Sequence, residues 1–404
     1  MESMRFVTRV LMAAILFSSA GAFAIKVPTG TPKFDLNINV LLQARAQLSF
    51  DGDTPTATGG AAPYGTLDTD FYIRRARLIA SGVGFSKFTF YMMLDTPNFG
   101  IRGNYTGSTF LQDLHIGYQP VKDVDIEMGF LYMPLNHLAI LSSSSTSSIE
   151  KGTAILFYNN NRGLRETGIH VRALILNERL YLRGGLFDGL HGRQTNQNGA
   201  AVATTDAVTG PVNGNGRPLV AGMARVNLIG SESGYAFPNI YMDGKSRVSV
   251  GVGGQWQGKG SNTPITRVTN AVTGARTTTL TAVNDYLALS ADLFANFALP
   301  NDQEAMLEVN AVRFDWGSGS DKTGNGLTAE AGYRIGQFEP EVNGFWFNSD
   351  SKQNSFLKVA GGINYFIEKH QARLGLEFIH IKTGVNFDAS NALHQVLLQG
   401  QISF

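Results

Sequence analysis

The chain has 404 residues, no cysteine, and almost balanced charge, with 33 basic and 32 acidic side chains. Disulfide stapling is therefore excluded, and no clustered basic surface argues for a nucleic-acid partner. Glycine is abundant (46), proline scarce (13) and aromatics reach 10%, yet apolar residues are spread singly rather than in the continuous segments of a soluble core.

The N-terminus sets the expected compartment. Arg5 and Arg9 form a basic region, Val10 to Phe17 is unbroken apolar sequence, and Ala22-Phe23-Ala24 fits small-x-small cleavage. Residues 1–24 are thus expected to be a signal peptide, and 25–404 one exported unit. Removing Glu2, Arg5 and Arg9 leaves equal numbers of acidic and basic residues. No later stretch is long and apolar enough for a transmembrane helix.

Phe34 to Phe50 alternates over seventeen residues. Phe34, Leu36, Ile38, Val40, Leu42, Ala44, Ala46, Leu48 and Phe50 share one face; Asp35, Asn37, Asn39, Leu41, Gln43, Arg45, Gln47 and Ser49 share the other. Period two over such a length predicts a strand with one oily and one wet face. Further strands are expected near 70–82, 85–95, 110–119, 123–133, 166–176, 179–187, 219–230 and 246–257. The series continues near 284–297, 303–315, 326–336, 337–348, 356–367, 370–382 and 392–404. Short connections alternate with long ones at 51–69, 96–109, 134–165, 188–218 and 258–283, whose Gly, Asn, Thr and Ser content predicts mobile loops. The expectation is all-β: a transmembrane antiparallel β-barrel of about sixteen strands, with short periplasmic turns and long extracellular loops. The stretch 231–245 breaks the rhythm, being long where a short turn belongs. The chain ends on the alternating strand His394 to Phe404, whose terminal Phe404 resembles the signal read by the outer-membrane assembly machinery.

Parity assigns the charges. An arginine facing lipid at mid-membrane costs about 2–4 kcal/mol, so Arg75 and Arg77 are expected in the lumen and Arg74 outward, near the rim, where it snorkels. The same reasoning places Arg45, Lys87, Arg172, Arg183, Arg225, Arg247, Lys358 and Arg373 inside. With them come Asp95, Asp113, Asp125, Glu127, Asp292, Glu308, Glu330 and Glu377. Opposed charges across a wet eyelet create a transverse field; the alternative reading is that they pair across strands and stiffen the wall. The loop at 134–165 carries SSSSTSS at 142–148, then Glu150, Lys151, Arg162 and Arg165. Its hydroxyls either line a constriction or form a flexible linker.

Several blocks resemble the phosphate-selective porin O/P family. FYIRRARL (71–78) looks like its "RRAR" strand, and IEMGFLYMPLNHL (126–138) like its strand-to-proline segment. IEKGTAILFYNNNRGLRETGIHVRALIL (149–176), RLYLRGGLFDG (179–189) and GGINYFIEKHQARLGLEF (361–378) follow in family order. The resemblance implies a sixteen-stranded trimeric porin in the outer membrane of a Gram-negative-type bacterium, with an inward third loop. Its expected function is passive diffusion of small hydrophilic solutes and ions through a general or mildly anion-preferring pore. Outer-membrane lipid, the assembly machinery and a homotrimer are the expected partners; no cofactor, catalytic residue or metal is expected. A closed barrel acting as an adhesin, or a barrel hydrolase, is the alternative. For the latter, His137 near the serine run could form a dyad, but no recognisable catalytic motif surrounds either residue; His115 and His170 fall on lumen parity.

Overall fold

The computed structural model describes residues 25–27, 34–51, 67–150, 164–189, 206–209, 217–269, 276–317, 320, 322–351, 355–383 and 392–404. The signal peptide, Lys151 and Arg162 lie outside them. The first strands are β1 (Ile25–Val27), β2 (Phe34–Asp51), β3 (Leu67–Gly84), β4 (Phe88–Phe99), β5 (Phe110–Val121) and β6 (Val124–Tyr132). Then come β7 (Arg165–Ile175), β8 (Leu180–Phe187), β9 (Asp206–Thr209), β10 (Leu219–Ile229), β11 (Arg247–Thr269) and β12 (Arg276–Leu299). The last are β13 (Gln303–Asp315), β14 (Gly324–Ile335), β15 (Phe338–Ser349), β16 (Phe356–Glu368), β17 (Ala372–Thr383) and β18 (Ala392–Ser403).

Sixteen of these, β2–β8 and β10–β18, form one antiparallel meander that closes on itself through β18–β2 and β8–β10. Closure removes the sheet edges, and lipid then requires only that outward side chains be apolar. Alternation supplies this: Leu42 and Phe50 are exposed on the outer face of β2 while Gln43 and Arg45, between them, are buried in the lumen. Short β1 adds to β2, and β9 pairs in parallel with the far end of β12.

Tight turns lie on one side. In the β12–β13 turn, Asn301 and Asp302 take φ of 59° and 55°, a left-handed conformation these two residue types tolerate. The stretch 258–283 departs from expectation. It is strand from 258 to 269 and again from 276, with Thr269 opposite Arg276, so β11 and β12 continue as a ribbon that β9 flanks along 276–279.

The long connection at 231–245 lies on the turn side, between β10 and β11, and folds up into the barrel. There it meets residues 133–150 of the loop between β6 and β7, which enter from the other side. Leu141 and Phe237 form a parallel bridge. Ser142 N–H donates to the Phe237 carbonyl (2.7 Å), Phe237 N–H to the Ile140 carbonyl (3.0 Å), and Asn239 N–H to the Ser145 carbonyl (3.1 Å). Around this junction lies an apolar core inside the barrel, built from Leu135, Leu138, Ile140, Leu141 and Phe237 against Tyr181, Phe187, Leu219, Tyr286 and Phe314 of the wall. Each such side chain contributes about 1.5–3 kcal/mol on burial. Gly253 permits the contact: a Cβ there would stand 1.9 Å from the Leu135 carbonyl oxygen.

Candidate pore lining and constriction

The basic side of the lumen is built on β2 and β3. Their register slips between Gln43, opposite Arg75, and Ala44, opposite Ile73, so Arg74 is the extra residue of a β-bulge. The bulge corrects the parity expectation at this point. Ile73 shares the outward face with Ala44, and Arg74 turns inward with Arg75 and Arg77. Arg74 Nε donates to Glu150 (3.1 Å) and its NH1 to Asn98 (3.1 Å). Arg45 NH1 reaches the same Glu150 carboxylate at 2.7 Å. Arg77 pairs with Asp95 (2.9 Å) and donates to Ser143 Oγ (2.6 Å). Arg75 bonds the Gln43 amide oxygen (2.8 Å), and no carboxylate among the described residues pairs with it. Four guanidinium groups thus share two carboxylates, leaving a local surplus of positive charge.

Lys87 is not in the lumen. It lies in the exposed β3–β4 turn and donates to the Pro120 carbonyl (3.0 Å), because β3 ends at Gly84 and β4 begins only at Phe88. Arg247 sits at the foot of β11, stacked 3.7 Å from the Tyr241 ring centroid and paired with Asp243 (2.6 Å).

Around β5–β8 the charges pair locally. Arg172 reaches Asp125 and Glu127, both at 3.0 Å. His170 Nε2 lies 2.6 Å from Glu127, and His115 3.7 Å from the same residue. Arg165 pairs with Asp113 (3.0 Å) and stacks on Tyr132. Tyr235, from the inserted turn, donates to Asp113 (2.6 Å). Arg225 pairs with Asp292 and Glu232.

The acidic side is β13–β17. Glu308 and Glu330 stand directly opposite each other, an arrangement that repels unless donors reach it. The inserted loop supplies them. Ser148 N–H donates to Glu330 (2.7 Å), and the N–H groups of Ile149 and Glu150 donate to Glu377 (3.0 and 3.2 Å). Ser147 Oγ donates to Glu339 (2.6 Å), while His137 lies 3.0 Å from Glu308 and 2.9 Å from Glu232. Lys358 donates to the Glu150 carbonyl (2.6 Å) and Arg373 to that of Thr146. The segment 142–150 therefore crosses from the basic wall to the acidic wall, bonded to both. This overturns the flexible-linker reading of the serine run: Thr146, Ser147 and Ser148 are fully buried. His137 partners carboxylates rather than a serine hydroxyl.

Sequence parity missed Arg74, hidden by one bulged residue, and the whole inserted turn with Glu232, Tyr235, Phe237 and Asn239. The signal for the turn was its anomalous length. What the assembly offers chemically is charge and hydrogen bonding along the lumen.

The family described as phosphate-selective porin O and P matches residues 60–283. Among solved structures, the outer-membrane channel DcaP of Acinetobacter baumannii aligns with TM-score 0.55 at 12% identity, over 95% of this chain and 100% of that one. An anion-selective porin from Comamonas acidovorans aligns with TM-score 0.52 at 11% identity, over 92% and 100%. The in-vitro folded trimer form of OmpT from Vibrio cholerae aligns with TM-score 0.54 at 9% identity, over 92% and 100%. At these identities the likeness is one of fold. The chain has no match among curated proteins.

Proposed function

The chain belongs to the phosphate-selective porin O and P family and is an outer-membrane porin, and from that premise we propose that it is a homotrimer whose subunits each pass small hydrophilic solutes, with a preference for anions. The observation that carries the anion preference is the surplus of guanidinium groups at Arg45, Arg74, Arg75 and Arg77, with Arg75 held by a neutral amide. In a narrow, partly desolvated passage such a surplus attracts anions and repels cations more strongly than it would in bulk water. Segment 134–150, ending on Glu150 and continuing to Arg165, sets the size limit. Asp113, Glu127 and Arg172 belong to paired clusters and act on the wall more than on passing ions. Transport is passive, down the solute gradient. Phe404, whose side chain lies on the outer face, serves recognition by the assembly machinery.

The test is planar-bilayer recording of the purified, refolded protein under a KCl gradient. Three equal conductance steps and an anion-selective reversal potential are expected. Replacing Arg75 and Arg77 with Glu should move the reversal potential toward cation selectivity; an unchanged potential would remove them from the filter. Absent conductance from demonstrably folded protein would favour the closed-barrel adhesin reading, to which the filled lumen around Phe237 lends support.

A further inference from the structure

Six of the chain's seven histidines fall among the described residues, and four of these point into the lumen. There His115, His137 and His170 meet carboxylates and His370 meets the Ile240 carbonyl. His380 and His394 differ. On β17 and β18 the lumen-facing residues are Arg373, Glu377, Leu397 and Gln399, all buried, so His380 and His394 fall on the opposite, outward parity. The register sets them directly opposite each other, three residues from the outer end of β17. Their Nδ1 atoms are 3.3 Å apart and their ring centroids 4.6 Å apart. Phe378 flanks His394 at 6.0 Å between ring centroids, and Phe50 is its partner on β2. Among the described residues, each imidazole has only the other as a hydrogen-bond partner.

We propose that His380 and His394 form a cross-strand chelate for a late first-row divalent transition-metal ion at the outer rim of the barrel. Two imidazole nitrogens bound to one tetrahedral ion at the usual Zn–N length of 2.0–2.1 Å stand about 3.3 Å apart. The pair already has that separation, so binding requires only that the Nδ1 proton of the donor ring move through solvent to Nε2 of the same ring, leaving both rings neutral with their protons on Nε2. Nothing else at the position asks for imidazole, because an outward site beside Phe50 and Phe378 is served by any aromatic ring. The ion would tie β17 to β18 below the loop joining them, with its remaining coordination positions open to solvent. Sequence spacing conceals the site, since the ligands are fourteen positions apart and only the strand register joins them.

The experiment is titration of untagged, detergent-solubilised protein with Cu²⁺, Ni²⁺, Zn²⁺ and Mn²⁺ by isothermal calorimetry. One ion per chain is expected, tightest for Cu²⁺ and weakest for Mn²⁺, as nitrogen ligands dictate. His380→Phe and His394→Gln should each abolish saturable one-to-one binding while leaving single-channel conductance and melting temperature in metal-free buffer unchanged. The two variants differ in size and polarity, so a folding defect in one leaves the other informative. No saturable binding by wild-type protein, or equal binding by the folded variants, overturns the assignment.

Discussion

At the residue scale, the lumen works by giving each buried charge a partner and leaving a few basic groups in excess. His137 shows how closely this is balanced. Burial pushes its pKa down, but the Glu232 and Glu308 carboxylates outweigh that and hold it up at about 9. A folded-state pKa above the ordinary 6.5 means that the imidazolium's contribution to stability is complete below about pH 6.5 and is lost as pH rises through about 9. The melting temperature in detergent should therefore fall between pH 7 and pH 10, and His137→Gln should shrink that fall. An equal fall in both proteins would take His137 out of the account. Replacing it with Leu strands two carboxylates and should cost about 3–5 kcal/mol. Parity made most wall residues legible in the sequence, because a period of two has no ambiguity once one charge is placed. It failed at Arg74, since one extra residue in β3 reverses every assignment before it, and at Lys87, where the strand had already ended.

At the element scale, all sixteen wall strands were legible, most with their ends within a few residues, though β11 and β12 run on well beyond the expected limits; the two inserted segments were not. Their contacts join positions roughly a hundred apart, such as Ser147 to Asn239, and no local pattern records such a pairing. The apolar run Leu138 to Leu141 was the available sign that this loop packs rather than waves in solvent. The turn 231–245 acts as a strap that keeps segment 134–150 in place. Phe237→Ala should remove about 3–5 kcal/mol of packing. The expected outcome is a larger and noisier single-channel conductance with passage of bulkier neutral sugars in liposome swelling. Unchanged size exclusion in a folded variant would mean that the loop holds its position without the strap. Gly253→Val tests the same contact from the wall, and should give the same phenotype through its clash with Leu135.

At the scale of the whole molecule, the barrel closes by joining β18, the last strand, to β2. Phe404 exchanges backbone hydrogen bonds with Val40, at 2.6 and 3.0 Å, so the carboxy-terminal residue is itself part of the seam. Its backbone serves closure, while its side chain, 40% exposed on the outer face, is the part we propose the assembly machinery recognises. Phe404→Ala should therefore lower the amount of protein reaching the outer membrane in cells, yet leave the melting temperature of refolded protein almost unchanged. A large loss of stability in vitro would make Phe404 a structural residue instead.

The strap and the loop enter the barrel from opposite faces of the membrane, which has a consequence in time. Where the hydrogen-bonded wall closes before they meet, the junction at Leu141 and Phe237 is the last part to form. In that interval the proposed constriction is not yet in place. A newly inserted barrel would leak before it discriminates, and the interval is set by how quickly two tethered segments find each other across the membrane.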